Sequence, residues 1–397
     1  MKLFNQLLVA PAALGLLAPM SVNASEVNLS EMASFSDIEQ VEEEVFDHNS
    51  FSNSLATNSS IESNYVNPVT FEAGGFSDTT VATQSAQFLL SAADGEEAQL
   101  EEEALQFNYY YSLSLDTSFT GEDNLNVGIE AGNTNAVAGM NTARVLDFGT
   151  SAGDTLQVVD INYSRSFGDL SLTLGDSLDA SALFTGACTY SGFTDQLSDC
   201  GTGMSAGLGG DVTLSSSYDF GNGVTAGFGL TGLEGATSDG LFTEESIDAY
   251  ALQVAYNADN YGLSVSYSDI DSHALGAALI GVNEDTTYWG VNGYYNFGGA
   301  IESVSIGYET GNPDTGGDTT NWFAGVTTTE VGPGTISLGV GSTAHIAEDA
   351  EETLQYEASY SWDVNDATSM TVGGFIQEKT NNLEDLTGVA LSTTFSF

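Results

Sequence analysis

The sequence predicts an all-β chain: a transmembrane antiparallel β-barrel of about 16 strands, with short periplasmic turns and long external loops. Three observations carry that expectation. Apolar and polar residues alternate through many short stretches, the last of which closes on Phe397. Turns rich in Gly, Asn, Asp and Pro join these stretches in pairs. Beyond the amino-terminal segment, no run of about 18 apolar residues exists that could cross a bilayer as a helix.

Residues 1–24 read as a secretory signal peptide. Lys2 supplies the charged start, Leu7 to Leu17 the apolar stretch, and Ser21-Val22-Asn23-Ala24 the small residues for cleavage. Residues 25–65 form a short acidic periplasmic segment and linker. Met32, Phe35, Ile38, Val41 and Val45 stand at helical spacing beside Glu42-Glu43-Glu44, and Asn49 to Asn64 is rich in Ser and Asn. Residues 66–397 form the barrel domain.

The first strand is expected near 80–91 and the last over 386–397. Between them Tyr109 to Leu115, Leu125 to Ile129 and Val159 to Tyr163 keep apolar residues on one face. Hairpins follow, joined at Phe167-Gly168-Asp169, Gly221-Asn222-Gly223, Ala258-Asp259-Asn260, Gly298-Gly299, Gly332-Pro333-Gly334 and Val364-Asn365-Asp366. The longer connections, 131–154, 176–211, 232–245, 270–285 and 342–352, are rich in acid and glycine. An even strand number places both barrel termini on the short-turn side. The face opposite the apolar one is Ser, Asn, Asp, Gly and Thr in strand after strand, and Tyr, Trp and Phe gather near strand ends. That is the pattern of lipid outside, water inside and aromatic girdles at both interfaces. A soluble, secreted acidic β-rich surface protein or adhesin is the alternative, and it lacks a reason for the girdles.

The chain carries 56 Asp and Glu against 4 Lys and Arg. Removing the signal takes away Lys2 and no acid, leaving Arg144, Arg165 and Lys379 as the cations. Binding to nucleic acid through a basic patch is excluded. The acid excess has two readings that can both hold, solubility in salty water and selection of ions. Arg165 falls on the lipid-facing parity, where its guanidinium can reach interfacial water, and Arg144 lies in a long connection.

No phosphate loop, dinucleotide fingerprint or nucleophile–base arrangement is legible, so neither an enzyme nor a cofactor is expected. His48, His273 and His345 are scattered, and no metal site is expected. Cys188 and Cys200, twelve apart in the 176–211 connection, are expected to pair in an exported protein. The same connection holds Asp176, Asp179, Asp195 and Asp199. Folded into the barrel, these acids would ring the constriction and favour cations. Held outside, they would be solvated acids of a tied external loop, and the sequence leaves both arrangements open. Alternation places Asp116, Glu130, Asp160, Glu309 and Glu357 on the lumen face.

Met1–Pro19, Phe71–Thr80 and Phe193–Gly201 resemble the corresponding stretches of cyanobacterial outer-membrane porins, a branch grouped with carbohydrate-selective porins. The resemblance covers the signal and residues 66–397. It implies an outer-membrane channel for passive diffusion of small hydrophilic solutes, carbohydrates or inorganic ions, that is a homotrimer in outer-membrane lipid. The 176–211 connection, third of the long loops, resembles the constriction loop of general diffusion porins. Members of the family carry an S-layer-homology module before the barrel. Residues 25–65 are too short for it and lack its pattern, so peptidoglycan contact does not carry over.

Overall fold

The computed structural model of this chain describes residues 79–95, 104–134, 142–146, 148, 153–232, 238, 240–241, 243, 248–271, 285–314, 317–343, 346–347, 350–380 and 383–397. They form β1 (Thr80–Asp94), β2 (Gln106–Thr117), β3 (Asp123–Gly132), β4 (Gln157–Phe167), β5 (Leu170–Asp176), β6 (Val212–Gly221), β7 (Val224–Gly232), β8 (Asp248–Asn257) and β9 (Tyr261–Ile270). The series continues with β10 (Thr286–Asn296), β11 (Ile301–Pro313), β12 (Thr319–Thr328), β13 (Gly334–Ser342), β14 (Ile346–Ala347), β15 (Leu354–Asn365), β16 (Thr368–Gln377) and β17 (Leu386–Ser396). Three single-turn helices, α1 (Thr142–Val145), α2 (Asp195–Ser198) and α3 (Gly203–Ala206), lie in connections.

Each strand runs antiparallel to its neighbours and β17 returns to β1, closing the sheet. The two-residue β14 only prolongs the ladder on β12 past the end of β13, so the barrel has sixteen staves. At the seam the last residue is used: Phe397 N–H donates to Gln84 O at 3.0 Å, and Gln84 N–H donates to Phe397 O at 2.8 Å. Closure matters because an unpaired backbone polar group in hydrocarbon costs several kcal/mol, of the order of 4 to 8.

The burial pattern is inverted relative to a soluble protein. Leu252, Val254, Leu263, Val265, Val291 and Ile306 are exposed on the outer face. Gln253, Ser264, Ser266, Asn292 and Ser305 are buried on the inner one. Aromatic pairs mark both rims of the apolar belt. Tyr218–Phe220, Tyr256–Tyr261, Tyr295–Phe297 and Tyr360–Trp362 sit at the short-turn end. Tyr250, Tyr267 and Trp289 pack in a row at the other end. Arg165 faces outward at the short-turn rim, its guanidinium 5.1 Å from the Phe167 ring centroid.

The tight turns lie where their residues place them. Gly221, Asn222 and Gly223 hold φ of 77°, 55° and 81°, values that glycine and asparagine tolerate and that match hairpin twist. One expectation needs correcting. Val159 was expected in step with Ile161 and Tyr163, but the β3–β4 ladder pairs Gly128 with Asp160 and Ile129 with Val158, skipping Val159. This bulge hands the outward place to Val158, which is 63% exposed. The length asymmetry of the connections is also uneven: residues 314–318 join β11 to β12 at the long-connection end with only a short link. The signal, the 25–65 segment, His48, His273, His345, the Arg144 side chain and the stretch Phe71–Asp78 lie outside the described residues.

The inverted pattern yields a test. Val265→Arg, on the outer face, should lower the unfolding free energy in lipid by about 2–4 kcal/mol, read by urea titration of the refolded barrel. Ser164→Arg, on the inner face of β4, should stay within about 0.5 kcal/mol of the parent.

Candidate functional site

The 177–211 connection carries two kinds of residue with opposite needs. Phe184, Tyr190, Phe193, Leu197 and Leu208 need cover, while its carboxylates need water. The barrel interior satisfies both, because one side of the loop can lie on the wall and the other can face the lumen. The loop takes that course. Ala180 N–H donates to Leu208 O at 2.6 Å, pinning the two legs together at their base. The outgoing leg then crosses the inner wall: Leu183 N–H reaches Ser215 Oγ at 3.2 Å, Ala187 N–H reaches Asn292 Oδ1 at 3.2 Å, and Thr189 N–H reaches Ser305 Oγ at 3.1 Å.

Cys188 and Cys200 form a disulfide that closes the next stretch into a ring. Within the ring, Tyr190 packs on Phe323 at 4.9 Å between ring centroids, and Leu197 is buried beside them. Phe193 enters a separate cluster with Leu89, Phe375, Leu386 and Phe148. The returning leg is fixed by Asn292 Nδ2 donating to Thr202 Oγ1 at 3.0 Å and by the 2.7 Å pair of Ser205 and Ser266 hydroxyls. Met204 and Leu208 pack with Tyr288 and Ile270. Glycine lets the backbones meet: a Cβ at Gly307 would run into the carbonyl of Cys200, and one at Gly229 into that of Ala180.

The loop acids are in the exposed part of the segment. Asp195 opens α2 and Asp199 caps it, four residues apart, so both carboxylates share the exposed face while Leu197 is buried on the other. Asp176 ends β5 opposite Ile161, at the outward parity of Leu174 rather than on the lumen face expected of a constriction acid, because the strand has not yet turned inward there; Asp179 follows, and both are exposed. Asp211, which the sequence reading passed over, closes the loop beside Asp176 and is exposed as well. Protein crowded around the exposed carboxyl groups of Asp179 and Asp195 removes part of their hydration and raises both above the usual aspartate range. For Asp211, lost hydration and the Asp176 charge act in the same direction.

On the inner face of β2, β3 and β4 stand Asp116, Glu130 and Asp160, all half-buried. They belong to an amide–carboxylate lattice. Asn124 and Asn126 donate to Asp116 Oδ1 at 2.8 and 2.9 Å. Asn162 donates to Asn126 Oδ1 at 3.3 Å and to Asp160 Oδ1 at 3.2 Å. Tyr110 OH donates to Glu130 Oε1 at 2.6 Å.

Glu309 and Glu357 differ from the expectation. Both lie on the inner face, as alternation requires, but the loop covers them, leaving them 0% and 5% exposed. Alternation gives the face of a strand residue and says nothing of what lies over that face. Glu357 accepts from Tyr190 OH at 2.6 Å, Phe193 N–H at 2.8 Å and Thr194 N–H at 2.8 Å. Glu309 accepts from the N–H groups of Met204 and Ser205.

No protein-family model matches the sequence, and no curated protein is similar to it. Solved structures share the fold. A loop L8 deletion mutant of OmpT, an outer membrane protein of Vibrio cholerae, aligns with a TM-score of 0.55 at 10% identity, over 81% of this chain and 100% of that one. An anion-selective porin from Comamonas acidovorans aligns at 0.54 and 16% identity, over 80% and 99%. An A104W mutant of the Rhodopseudomonas blastica porin aligns at 0.52 and 13% identity, over 80% and 100%. The chain therefore has the closed antiparallel barrel fold of these proteins.

The seating of the loop is testable without knowing its role. Gly307→Val should force Cys200 off the wall and destabilise the barrel by about 1–3 kcal/mol, an overpacking effect. Cys188→Ser with Cys200→Ser should cost about 2–4 kcal/mol. Both are read in urea titrations, and the parent should show the linked peptides in a non-reducing digest.

Proposed function

We propose that this chain is a passive outer-membrane porin, a water-filled channel that admits small hydrophilic solutes and prefers cations. The observation that carries this reading is the lumen itself. One wall is an inserted loop whose exposed face holds Asp195 and Asp199, and the wall of β2 to β4 holds Asp116, Glu130 and Asp160. Of the mature chain's cations, Arg165 is on the outer face and Lys379 stands at the mouth, 3.0 Å from Gln377 Oε1. The Arg144 side chain lies outside the described residues. Among the described residues, the lumen thus carries carboxylates on the inserted loop and on the β2–β4 wall. A ring of one sign raises the local concentration of counter-ions and repels co-ions.

The apolar exterior with its two aromatic rims supports residence in a bilayer and speaks against the secreted-adhesin reading. The short-turn end, where both barrel termini lie, is then the periplasmic end. The segment Phe193–Gly201, which resembles cyanobacterial carbohydrate-selective porins, covers the second half of the disulfide ring and ends one residue past Cys200. Descent from that group, export by residues 1–24 and a trimeric assembly belong to this proposal. For the solute, the wall chemistry favours small hydrated ions over sugars held by stacking. Tyr190, Phe193, Tyr288, Phe323 and Phe375, aromatics of the interior, are buried in loop-to-wall packing. The open wall offers carboxylates, amides and hydroxyls. Passage through it involves no covalent chemistry.

Reversal potentials in planar bilayers with a salt gradient test the reading. The parent should prefer cations, and Asp195→Asn with Asp199→Asn should reduce that preference. A parent that prefers anions, or conducts nothing, ends the proposal. Because lost hydration raises the Asp179 and Asp195 carboxyls, they take up protons at a higher pH than an aspartate in open water. Cation preference should therefore fall on acidification, starting above the range of an ordinary aspartate.

A further inference from the structure

We infer that Glu357 and Glu309 are positioning residues that set the width of the passage by holding the inserted loop against the wall, and that they supply no charge to the permeating solute. This inference rests on the channel reading given above, and it reassigns two residues whose strand parity alone places them among the conducting acids.

The bonding of Glu357 carries the argument. Its Oε1 accepts from Tyr190 OH at 2.6 Å and from Phe193 N–H at 2.8 Å. Its Oε2 accepts from Thr194 N–H at 2.8 Å and from the Thr194 hydroxyl. A carboxylate has about four acceptor sites, and here four donors of the loop take them. Gln355 Nε2 in turn donates to Thr194 Oγ1, so a second residue of β15 holds the same point. With 5% of its surface exposed, Glu357 has neither a free lone pair nor a path to a passing ion. Glu309 repeats the device at the other leg. Its two oxygens accept from Met204 N–H at 3.2 Å and from Ser205 N–H, and its surface is wholly covered.

The two contacts flank the disulfide. Glu357 grips residues 190–194 inside the ring, and Glu309 grips residues 204 and 205 just beyond it. The ring ties the gripped segments together, so the constricting face of α2 is held from both sides. The grip depends on the carboxylate form as well as on shape. Backbone N–H groups can only donate, and a charged acceptor makes the stronger bond. A glutamine of the same size offers one oxygen and turns an amide donor toward those N–H groups.

The test uses the whole chain, refolded and inserted in planar bilayers. Single-channel conductance, the cation-to-anion permeability ratio and the size limit for neutral polyethylene glycols are measured for the parent, Glu357→Gln, Glu309→Gln, the double variant and Asp195→Asn. Heat-modifiable migration in gels reports folding. The glutamine variants should lose the parental size limit and admit larger polymers, whereas Asp195→Asn should keep the limit and show a reduced cation preference. Thr189→Cys with Ser305→Cys, whose parental hydroxyls stand 3.2 Å apart, adds a second tether from loop to β11. Introduced into Glu357→Gln, it should restore the limit, which a merely structural loss would not allow. If Glu357→Gln does not fold, Tyr190→Phe removes one donor while keeping the ring on Phe323, and should relax the limit in the same direction. Folded glutamine variants with the parental size limit overturn the inference, as does a lowered cation preference with that limit intact, or a relaxed limit that the tether leaves relaxed. A silent parent channel instead sinks the channel reading.

Discussion

Hydrocarbon offers no partner to a peptide group, and the whole design follows from that. Every N–H and C=O in the belt must find its mate within the sheet, so the sheet has to close. Closure makes the last residue part of the seam, where Phe397 exchanges bonds with Gln84. It also creates an interior that the chain must furnish. Sixteen staves enclose more space than strand side chains can fill, and the 177–211 connection occupies part of it.

Inside, the same functional group serves two ends. Asp195 and Asp199 stand on the free side of α2, and Glu357 and Glu309 lie beneath the loop. The difference is one of surroundings. A carboxylate that keeps its hydration contributes an electric field to the water near it, while a covered one must exchange hydration for fixed donors. The amide–carboxylate lattice on β2 to β4 is intermediate: Asn124, Asn126 and Asn162 hold the acid oxygens in place while leaving them half-open to the lumen.

Much of this was legible in the sequence, and what was not has identifiable causes. Alternation with a period of two places residues on faces directly, which is why Val265 and Ser266 fall where expected. It fails at Val159, since a bulge shifts parity by one without leaving a mark in composition. The Cys188–Cys200 pairing was legible from export and spacing, whereas the inward course of the loop was not. Acids and aromatics coexist in that segment, and either side of the barrel mouth could host them. A usable signal lay elsewhere. The inner positions of β2 to β4 are mostly Ser, Asn, Asp and Glu, but those of later strands include Gly229, Gly307, Gly325 and Gly339. Missing side chains on one half of the inner wall mark a place already taken. The burial of Glu309 and Glu357 could be read only once the course of the loop was known.

Those missing side chains have a consequence for how the pore can be altered. The wall at Gly307 and Gly229 is a mould cast to the loop backbone, with no slack for even one methyl group. The opposite side of the same segment carries the exposed Asp195 and Asp199. Variation is thus confined to one edge of a single strip of chain: electrical character can be rewritten residue by residue along the wet edge, while the seated edge accepts only concerted replacement of loop and wall. A graft of this strip into another barrel would carry its charges but not its fit.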